Sequence, residues 1–141
     1  MKVSYVGPAI IGIVLLSCAT PTENELPSVD LLTDRTTYAM GDSGVLSLTN
    51  RSANPILGDL RCGVAIQRMV ATSWESVGWL PGWCIMEDVD TLDAGARVER
   101  GFELAAPAFA SAGEYRFQVS AADPRRRQLF VLSSDPFTVE N

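Results

Sequence analysis

The residues best suited to covalent chemistry in this 141-residue chain are three cysteines, Cys18, Cys62 and Cys84. A cysteine thiol can carry a lipid, form a disulfide or bind a soft metal ion. The sequence contains no histidine, so it lacks the side chain most often used as an acid or base near neutral pH. Cysteine chemistry therefore sets the first expectations for this protein.

Cys18 closes an apolar segment at the start of the chain. Residues Val3 to Leu16 are apolar or small almost throughout, Lys2 supplies one positive charge before them, and Leu15-Leu16-Ser17-Cys18 ends the run. This pattern resembles the leader of bacterial lipoproteins. The resemblance implies a signal peptide over residues 1–17 and a mature protein that begins with a lipidated, palmitate-bearing Cys18.

The segment after the leader is polar and short. Residues 18–28 are expected to form a tether between the lipid and the folded body. The residue after the cysteine is Ala19 rather than aspartate. By the same resemblance, this favours the outer membrane if the cell is Gram-negative, and in any case a lipid-anchored position in the cell envelope.

Two other membrane interpretations of the leader stay open. The run from Val3 to Ala19 has 17 residues, at the lower limit for a membrane-spanning helix, and Gly7, Pro8 and Gly12 interrupt it. An uncleaved anchor is one alternative, and ordinary secretion with a free Cys18 thiol is the other. No basic cluster follows the run to stop its transfer across the membrane.

Processing of the leader would change the charge of the protein. It removes Lys2, the only lysine, so that ten arginines remain against seventeen carboxylates and the net charge becomes −7. An acidic body argues against nucleic-acid binding, which needs a basic surface. It also predicts no overall attraction to anionic lipid, so attachment would depend on the covalent lipid.

Cys62 and Cys84 form an even pair in a chain that is expected to be exported. A disulfide is the favoured interpretation, because such bonds form in oxidising compartments. The alternative is a Cu(I) site of Cys62, Cys84 and Met86 with Met40 or Met69, since thiolates and thioethers favour that ion. The sequence has no close pair of cysteines with the spacing of a zinc site, so neither a metal nor another cofactor is predicted.

The hydrophobic pattern of the body has a period of two, which is typical of strands. In Glu114 to Ala121, alternate residues are apolar and are expected to face inward, while Arg116, Gln118 and Ser120 face water. Turn signals containing glycine, proline, asparagine and aspartate separate such runs. The pattern predicts an antiparallel β-sandwich of seven to nine strands over residues 29–141. Its inward-facing residues would include Leu46, Leu48, Val64, Ile66, Val98, Phe102, Leu104, Tyr115, Phe117, Val119 and Ala121.

The order of these elements resembles a family. The resemblance covers residues 29–140 and is carried by Thr37 to Asp42, Trp74 to Val77, Leu92 to Gly95, Ala112 to Phe117 and Ser134 to Val139. It is a resemblance to the bacterial immunoglobulin-like domains of surface lipoproteins. It implies an immunoglobulin-like sandwich.

The same resemblance assigns structural roles near the start of one strand. Gly113 would supply backbone freedom, and Tyr115 is similar to the tyrosine corner, whose hydroxyl bonds an upstream backbone group. Antibody domains have a bridging cysteine two positions after this tyrosine, and here Phe117 stands there. The antibody type of inter-sheet disulfide is therefore not expected.

All three tryptophans fall within ten residues, in the segment from Trp74 to Cys84. Trp74 lies in a strand pattern and is expected in the core. Trp79 and Trp83 lie in a stretch rich in glycine and proline. They either cover an open end of the sandwich or form an exposed binding surface for protein, peptide or glycan.

Two charged features have simple interpretations. Arg125-Arg126-Arg127 follows Asp123-Pro124 at the tip of a predicted hairpin and is expected to be solvated. Glu87 with Asp88 or Asp90 could support hydrolysis in principle, but carboxylates at turns are ordinary in an acidic domain. The sequence contains no nucleophile elbow or phosphate loop, so we expect no enzymatic activity.

Three kinds of function remain after these exclusions. The favoured hypothesis is a membrane-anchored lipoprotein whose immunoglobulin-like domain is a non-catalytic binding or adhesion module. The second is an accessory subunit or a proteinase-inhibitor-like protein, for which a rigid loop from Leu80 to Cys84 would be suited. The third is a purely structural envelope component.

Overall fold

The computed structural model describes residues 26–82, 90–105 and 107–141. Within these ranges the chain forms eleven strands and no helix. The strands are β1 (Val29–Thr33), β2 (Thr37–Ala39), β3 (Ser43–Asn50), β4 (Ile56–Gly58), β5 (Ala65–Val70), β6 (Ser73–Trp79), β7 (Thr91–Leu92), β8 (Arg97–Glu103), β9 (Gly113–Asp123), β10 (Gln128–Ser133) and β11 (Phe137–Glu140).

The strands form two sheets. The smaller sheet is antiparallel, with the order β1-β3-β8. The larger sheet is built around β9, which pairs with β4, β5, β10 and β11. On its periphery β7 pairs with β4, β6 pairs with β5, and β2 pairs with β11 in parallel. Among the described strands, β8 has β3 as its partner and β6 has β5, so both lie at sheet edges.

The core lies between the two sheets. Leu46 and Leu48 of β3 are fully buried from one side, and Tyr115 and Phe117 of β9 are buried from the other. The rings of Phe102 in β8 and Phe117 are 4.8 Å apart in an edge-to-face arrangement, so the sheets are in direct contact. The fold is therefore all-β and sandwich-like. The rings buried in this core are those of Tyr38, Phe102, Phe109, Tyr115, Phe117, Phe130 and Phe137.

The alternation predicted for β9 is confirmed. Tyr115, Phe117, Val119 and Ala121 are buried, and Ser120 between them is exposed. The predicted inward residues Leu46, Leu48, Val64, Ile66, Phe102 and Leu104 are also buried, and Val98 is half-buried.

The described chain has more strands than the seven to nine predicted. The three shortest are β2, β4 and β7, with two or three residues each. Such short segments cannot display an alternating pattern, so the sequence does not reveal them. They are identified instead by their pairing with β11, β9 and β4 respectively.

The registers define two ends of the domain. Val29 at the start of β1 pairs with Asn50 at the end of β3, and we refer to this as the proximal end. Ser43 at the start of β3 pairs with Glu103 at the end of β8, at the distal end. The turn between β9 and β10 lies at the proximal end, because the Arg125 side chain bonds Asn54, whose carbonyl accepts from the Asn50 amide.

Asp34 and Tyr38 connect β2 to the smaller sheet. The buried Tyr38 hydroxyl donates to Asp34 Oδ1 at 2.8 Å, and the backbone N–H of Val45 donates to the same oxygen at 2.7 Å. Burial, together with the bond to Asp34, raises the pKa of Tyr38 to about 12. Burial acts to raise the pKa of Asp34, but the bonds it accepts from Val45 and Tyr38 outweigh burial and hold that pKa below its usual value.

Candidate functional site

Trp79 is an exposed aromatic side chain at the end of edge strand β6. Its side chain is 63% exposed. The next residue, Leu80, is buried, and its N–H donates to the carbonyl of Val64 at 2.9 Å. The chain therefore anchors Leu80 in the core while it presents Trp79 to solvent. Trp83, the other half of the predicted aromatic surface, lies outside the described residues.

The prediction that Trp74 lies in the core is wrong. Trp74 is half-buried, and the guanidinium of Arg116 stacks over its ring at 4.4 Å from the centroid. Arg116 lies between the buried residues Tyr115 and Phe117 on β9, so its side chain points away from the core. Trp74 consequently lies on the outer face of the larger sheet. A period of two shows which residues share a face, but not which face is covered.

A cavity of about 640 Å³ opens between the two edge strands β6 and β8. Its wall is formed largely by apolar side chains from both sheets and from the segment that follows β8. Trp79 stands on one side of it, Arg100 and Glu103 supply charge, and Ser43 and Glu103 place part of it toward the distal end. Its apolar lining includes Leu80, Pro81, Phe102, Pro107, Ala108 and Phe109.

Arg100 holds the segment beside this cavity in place. It lies on β8 between Val98 and Phe102, a position where alternation predicts an apolar residue. Its Nη1 donates to the carbonyl oxygens of Leu60 at 2.5 Å and Arg61 at 3.2 Å. Its Nη2 donates to the carbonyl oxygen of Pro81.

This arrangement accounts for the arginine within an otherwise alternating strand. Backbone carbonyls from two loops replace the water that the half-buried guanidinium loses. Burial lowers the pKa of Arg100, and the negative charge of Asp59 opposes that effect. Gly82 is needed at the same place, because a Cβ there would lie 2.2 Å from the Arg61 carbonyl oxygen.

Cys62 is half-buried beside this cluster. Its predicted disulfide partner, Cys84, lies outside the described residues, so the bond stays a prediction. The alternative copper ligand Met86 lies outside them as well, while Met69 is half-buried on β5 and Met40 is exposed after β2. Across residues 26–82, 90–105 and 107–141, no group of three or more His, Cys, Asp or Glu side chains is placed to hold a metal ion.

The carboxylates considered for hydrolysis are only partly described. Glu87 and Asp88 fall outside the described ranges. Asp90 is exposed and forms an ion pair with Arg61 at 2.9 Å, and Asp59 pairs with the same arginine at 2.8 Å. The geometry gives Asp90 a role as an ion-pair partner in this loop cluster.

Tyr115 and Gly113 occupy a tightly packed corner where β9 begins. The Tyr115 hydroxyl donates to the carbonyl oxygen of Ser111 at 2.6 Å, and its ring is buried. Gly113 has a φ of 154°, and a Cβ at this position would lie 3.1 Å from Nε of Arg68. Arg68 in turn donates to the carbonyl of Ala112 at 3.0 Å. These contacts fix the start of β9.

The three arginines of the β9–β10 turn are exposed at the proximal end. Arg125 donates to Asn54 Oδ1 at 2.6 Å, and Arg126 lies 3.6 Å from the buried carboxylate of Asp123. Two of the three therefore have protein partners in addition to water. On the adjoining strand β10, Leu129 and Val131 are exposed on either side of buried Phe130.

The exposed positions of Leu129 and Val131 were not predicted from the sequence. The alternation of β10 contained the signal, since a buried Phe130 places its two neighbours on the outer face. Within the described ranges these two side chains stay exposed on the outer face of the larger sheet. Whether a face is covered depends on tertiary structure, which a local sequence pattern does not show.

The leader, Cys18 and most of the tether lie outside the described residues, so lipid attachment stays a prediction. In the described part of the chain, no helix has the length and apolar character needed to cross a membrane.

Comparison with known proteins gives structural similarities only. No protein-family model matches the chain, and no curated protein matches its sequence. Among solved structures, it is similar to the alkylpurine DNA glycosylase AlkC of Pseudomonas fluorescens bound to DNA containing an abasic site analog. That similarity has 14% identity and a TM-score of 0.42, over 83% of this chain and 32% of the other.

Two further solved structures have comparable sequence identities and TM-scores. A β-glucosidase from Listeria innocua in complex with glucose gives 19% identity and a TM-score of 0.39, over 82% of this chain and 16% of the other. A PapD-like domain of human CEP192 gives 11% identity and a TM-score of 0.42, over 94% of this chain and 97% of that domain. The chain thus spans about a third of the glycosylase and a sixth of the glucosidase it matches.

Proposed function

We propose that the protein is a lipoprotein of the cell envelope whose body is a non-catalytic binding or adhesion module. In this proposal residues 1–17 are removed, Cys18 carries the lipid, residues 18–28 form the tether, and residues 29–141 form an immunoglobulin-like sandwich. The observation that carries the binding role is the exposed Trp79 beside a largely apolar cavity between two edge strands.

An exposed tryptophan beside a cavity is a favourable anchor for a partner. A tryptophan side chain buries roughly 200 Å² when it is covered, and about 60% of that area is free at Trp79, so a partner would gain about 3 kcal/mol before ordering costs. Tryptophan is also enriched among the residues that dominate binding energy at protein interfaces. A protein, a peptide or a glycan offers the apolar or ring-shaped surface that such an anchor contacts.

The position of the cavity fits a tethered module. The tether joins the domain at the proximal end, through Val29. The cavity reaches Ser43 and Glu103, at the distal end. A lipid at Cys18 would therefore hold the opposite end of the domain against the membrane and leave the cavity directed away from it.

Crosslinked pull-down from cells that produce the lipidated protein tests the binding role. Partner capture should be lost after Trp79→Ser combined with Trp83→Ser. The matched control is Trp74→Ser, which removes a tryptophan from the outer face of the same strand. Equal capture by the double variant and the native chain would overturn the assignment of the site to Trp79.

Labelled palmitate tests the anchor separately. The native chain should incorporate the label, and a Cys18→Ala variant should not. Equal labelling of both chains would refute lipid attachment at Cys18 without bearing on the cavity.

A proteinase-inhibitor-like role is the second candidate, and the contacts of Arg100 favour it. Its bond to the carbonyl of Pro81 constrains the exposed residues Pro81 and Gly82, and a constrained loop loses less entropy when it enters an active site. Incubation of the full protein with serine, cysteine and metallo-proteases distinguishes the two roles. An inhibitor would lower the residual activity of one class in proportion to its concentration, whereas a simple binding module would leave all three unchanged.

A further inference from the structure

The β9–β10 hairpin carries three exposed arginines in its turn and two exposed aliphatic side chains on the adjoining strand β10. We define the hairpin surface by Arg125, Arg126, Arg127, Leu129 and Val131. The side chain of Leu129 is 81% exposed and that of Val131 is 59% exposed, although both are large and apolar. Exposed arginines beside exposed aliphatic residues are the combination found on protein surfaces that lie at a membrane interface.

The charges around the hairpin surface are locally favourable despite the acidic body. The described carboxylates at the proximal end include those of Asp30, Asp93 and Asp123. Asp30 is paired with Arg51, and buried Asp123 accepts bonds from the backbone N–H groups of Arg125 and Arg126. The hairpin turn thus holds three of the ten arginines in consecutive positions, whereas carboxylates outnumber arginines over the body as a whole.

The path of the chain brings the tether to the same place. Leu26, Pro27 and Ser28 line a pocket of about 280 Å³ together with Asp123 and Arg126. The chain therefore joins the domain beside the hairpin surface. Seven residues lie between Cys18 and Leu26, and a flexible segment of that length reaches about 15 Å.

From these three observations we propose that the hairpin surface is a second membrane contact that binds anionic lipid headgroups. The proposal rests on the lipid anchor proposed above, because a lipid at Cys18 would hold this surface within one tether length of the headgroups. The arginines would attract the headgroup phosphates, and Leu129 and Val131 would enter the boundary between headgroups and acyl chains. Each arginine near an anionic surface is expected to change the occupancy of the contact about fivefold.

Crosslinking to a photoactivatable phosphatidylglycerol tests this contact. The full chain is produced with its leader in a bacterial host, purified in detergent and reconstituted into vesicles. The vesicles contain phosphatidylcholine alone or equal parts of phosphatidylcholine and phosphatidylglycerol, each with a trace of the probe. Crosslinked peptides are mapped by mass spectrometry. We expect crosslinks concentrated in residues 123–131 on the anionic vesicles, with a yield that falls at high salt because screening weakens the attraction.

Variants make the test specific. Replacement of Arg125, Arg126 and Arg127 by glutamine should lower the crosslink yield in this segment at least fivefold. Arg61→Gln, which removes an arginine from the side of the domain, should leave it unchanged. Leu129→Ser should also lower the yield, whereas Val77→Ser on β6 should not.

Palmitate labelling of the same preparations separates the two proposals. Suppose that the protein is labelled but its crosslinks are scattered, or that their yield is equal on neutral vesicles or unchanged in the glutamine variant. Any of these results would overturn the hairpin contact and leave the anchor intact. Unlabelled protein would instead refute the anchor. In that case, crosslinks at residues 123–131 that still require anionic lipid would support the headgroup site alone, and their absence would overturn it.

Discussion

The guanidinium of Arg100 donates a hydrogen bond to the carbonyl oxygen of Pro81, and so connects edge strand β8 to the segment that follows Trp79. The same side chain bonds the carbonyls of Leu60 and Arg61. One arginine therefore fixes two loops beside the candidate cavity. These loops are far from β8 in sequence, so the contacts depend on the fold being complete.

Replacement of this arginine by a residue of similar length should uncouple the loops. We expect Arg100→Met to lower the free energy of unfolding by about 1–3 kcal/mol, since it leaves carbonyl groups without their donors. Urea denaturation followed by circular dichroism measures the change. Arg97→Met, at an exposed position of the same strand, is the control and should change stability by less than about 0.5 kcal/mol. Equal effects at the two positions would contradict the role of Arg100.

The hydroxyl of Tyr115 should contribute to stability independently of its ring. Tyr115→Phe removes the donor to the Ser111 carbonyl and keeps the aromatic packing. We expect a loss of about 1–2 kcal/mol, which is typical for one buried hydrogen bond. Thermal unfolding monitored by calorimetry is the measurement, and Ser120→Ala on the exposed face of β9 is the control. An unchanged midpoint in Tyr115→Phe would show that the hydroxyl bond adds nothing.

Gly113 should resist substitution for reasons of backbone geometry. Gly113→Ala would place a methyl group against Arg68 at a φ of 154°, which L-residues rarely adopt. The expected cost is about 1–3 kcal/mol. Gly101→Ala is a matched control, because the nearest atom to an added Cβ there is 4.0 Å away. Denaturant midpoints of the two variants should therefore differ clearly, and similar midpoints would argue against strain at Gly113.

Asp34 and Tyr38 should make stability depend on pH at both extremes. Because the pKa of Asp34 is lower in the folded protein than its usual value of 3.8, its contribution is present above that pH and is lost as the pH falls through the folded pKa. Tyr38 has its pKa raised to about 12, so the unfolded chain ionises first and stability falls as the pH rises from about 10 toward 12.

Unfolding free energies measured across pH test both effects. Asp34→Asn should flatten the acid limb, and Tyr38→Phe should flatten the alkaline limb. An acid limb that is identical in Asp34→Asn and the native chain would refute the role given to this carboxylate.

The predicted Cys62–Cys84 bond can be tested by mass and by stability. A disulfide makes the intact mass rise by two hydrogens on reduction, whereas a bound copper ion would give no such change. Closure of a loop of about 23 residues should stabilise the fold by about 3 kcal/mol on the chain-entropy model. The double variant Cys62→Ser with Cys84→Ser should have a free energy of unfolding lower by that amount in urea denaturation. Met69→Leu, which removes a possible copper ligand and leaves both cysteines, is the control for the copper alternative. No mass change on reduction would exclude the bond.

Sequence patterns predicted the regular parts of the fold well. The burial of Leu46 and Leu48 and the alternation of β9 follow directly from a period of two. The outer position of Trp74 was not predictable, because it depends on Arg116 from a strand some forty residues away. The acceptors of Arg100 lie 19 to 40 residues from it, beyond any local pattern.

The candidate site was predicted only in part. The cluster of tryptophans predicted that Trp79 either covers an end of the sandwich or belongs to an exposed surface, and the structure exposes it. The cavity beside it is assembled from two sheets and a loop, so no short segment of sequence contains it. Alternation could have predicted that Leu129 and Val131 share the face opposite Phe130, but it could not predict that this face is exposed among the described residues.

The parallel pairing of β2 with β11 has a consequence for how the domain folds. Thr37 lies opposite Thr138, so nearly the whole domain separates two residues that share a ladder. Bringing such distant segments together has a large entropic cost of loop closure, which comes before their contacts add any stability. Contacts of this kind therefore slow folding. β2 can therefore pair with β11 only after β11 has left the ribosome, and the buried side chains of Phe137 and Val139 join the core at that same late step.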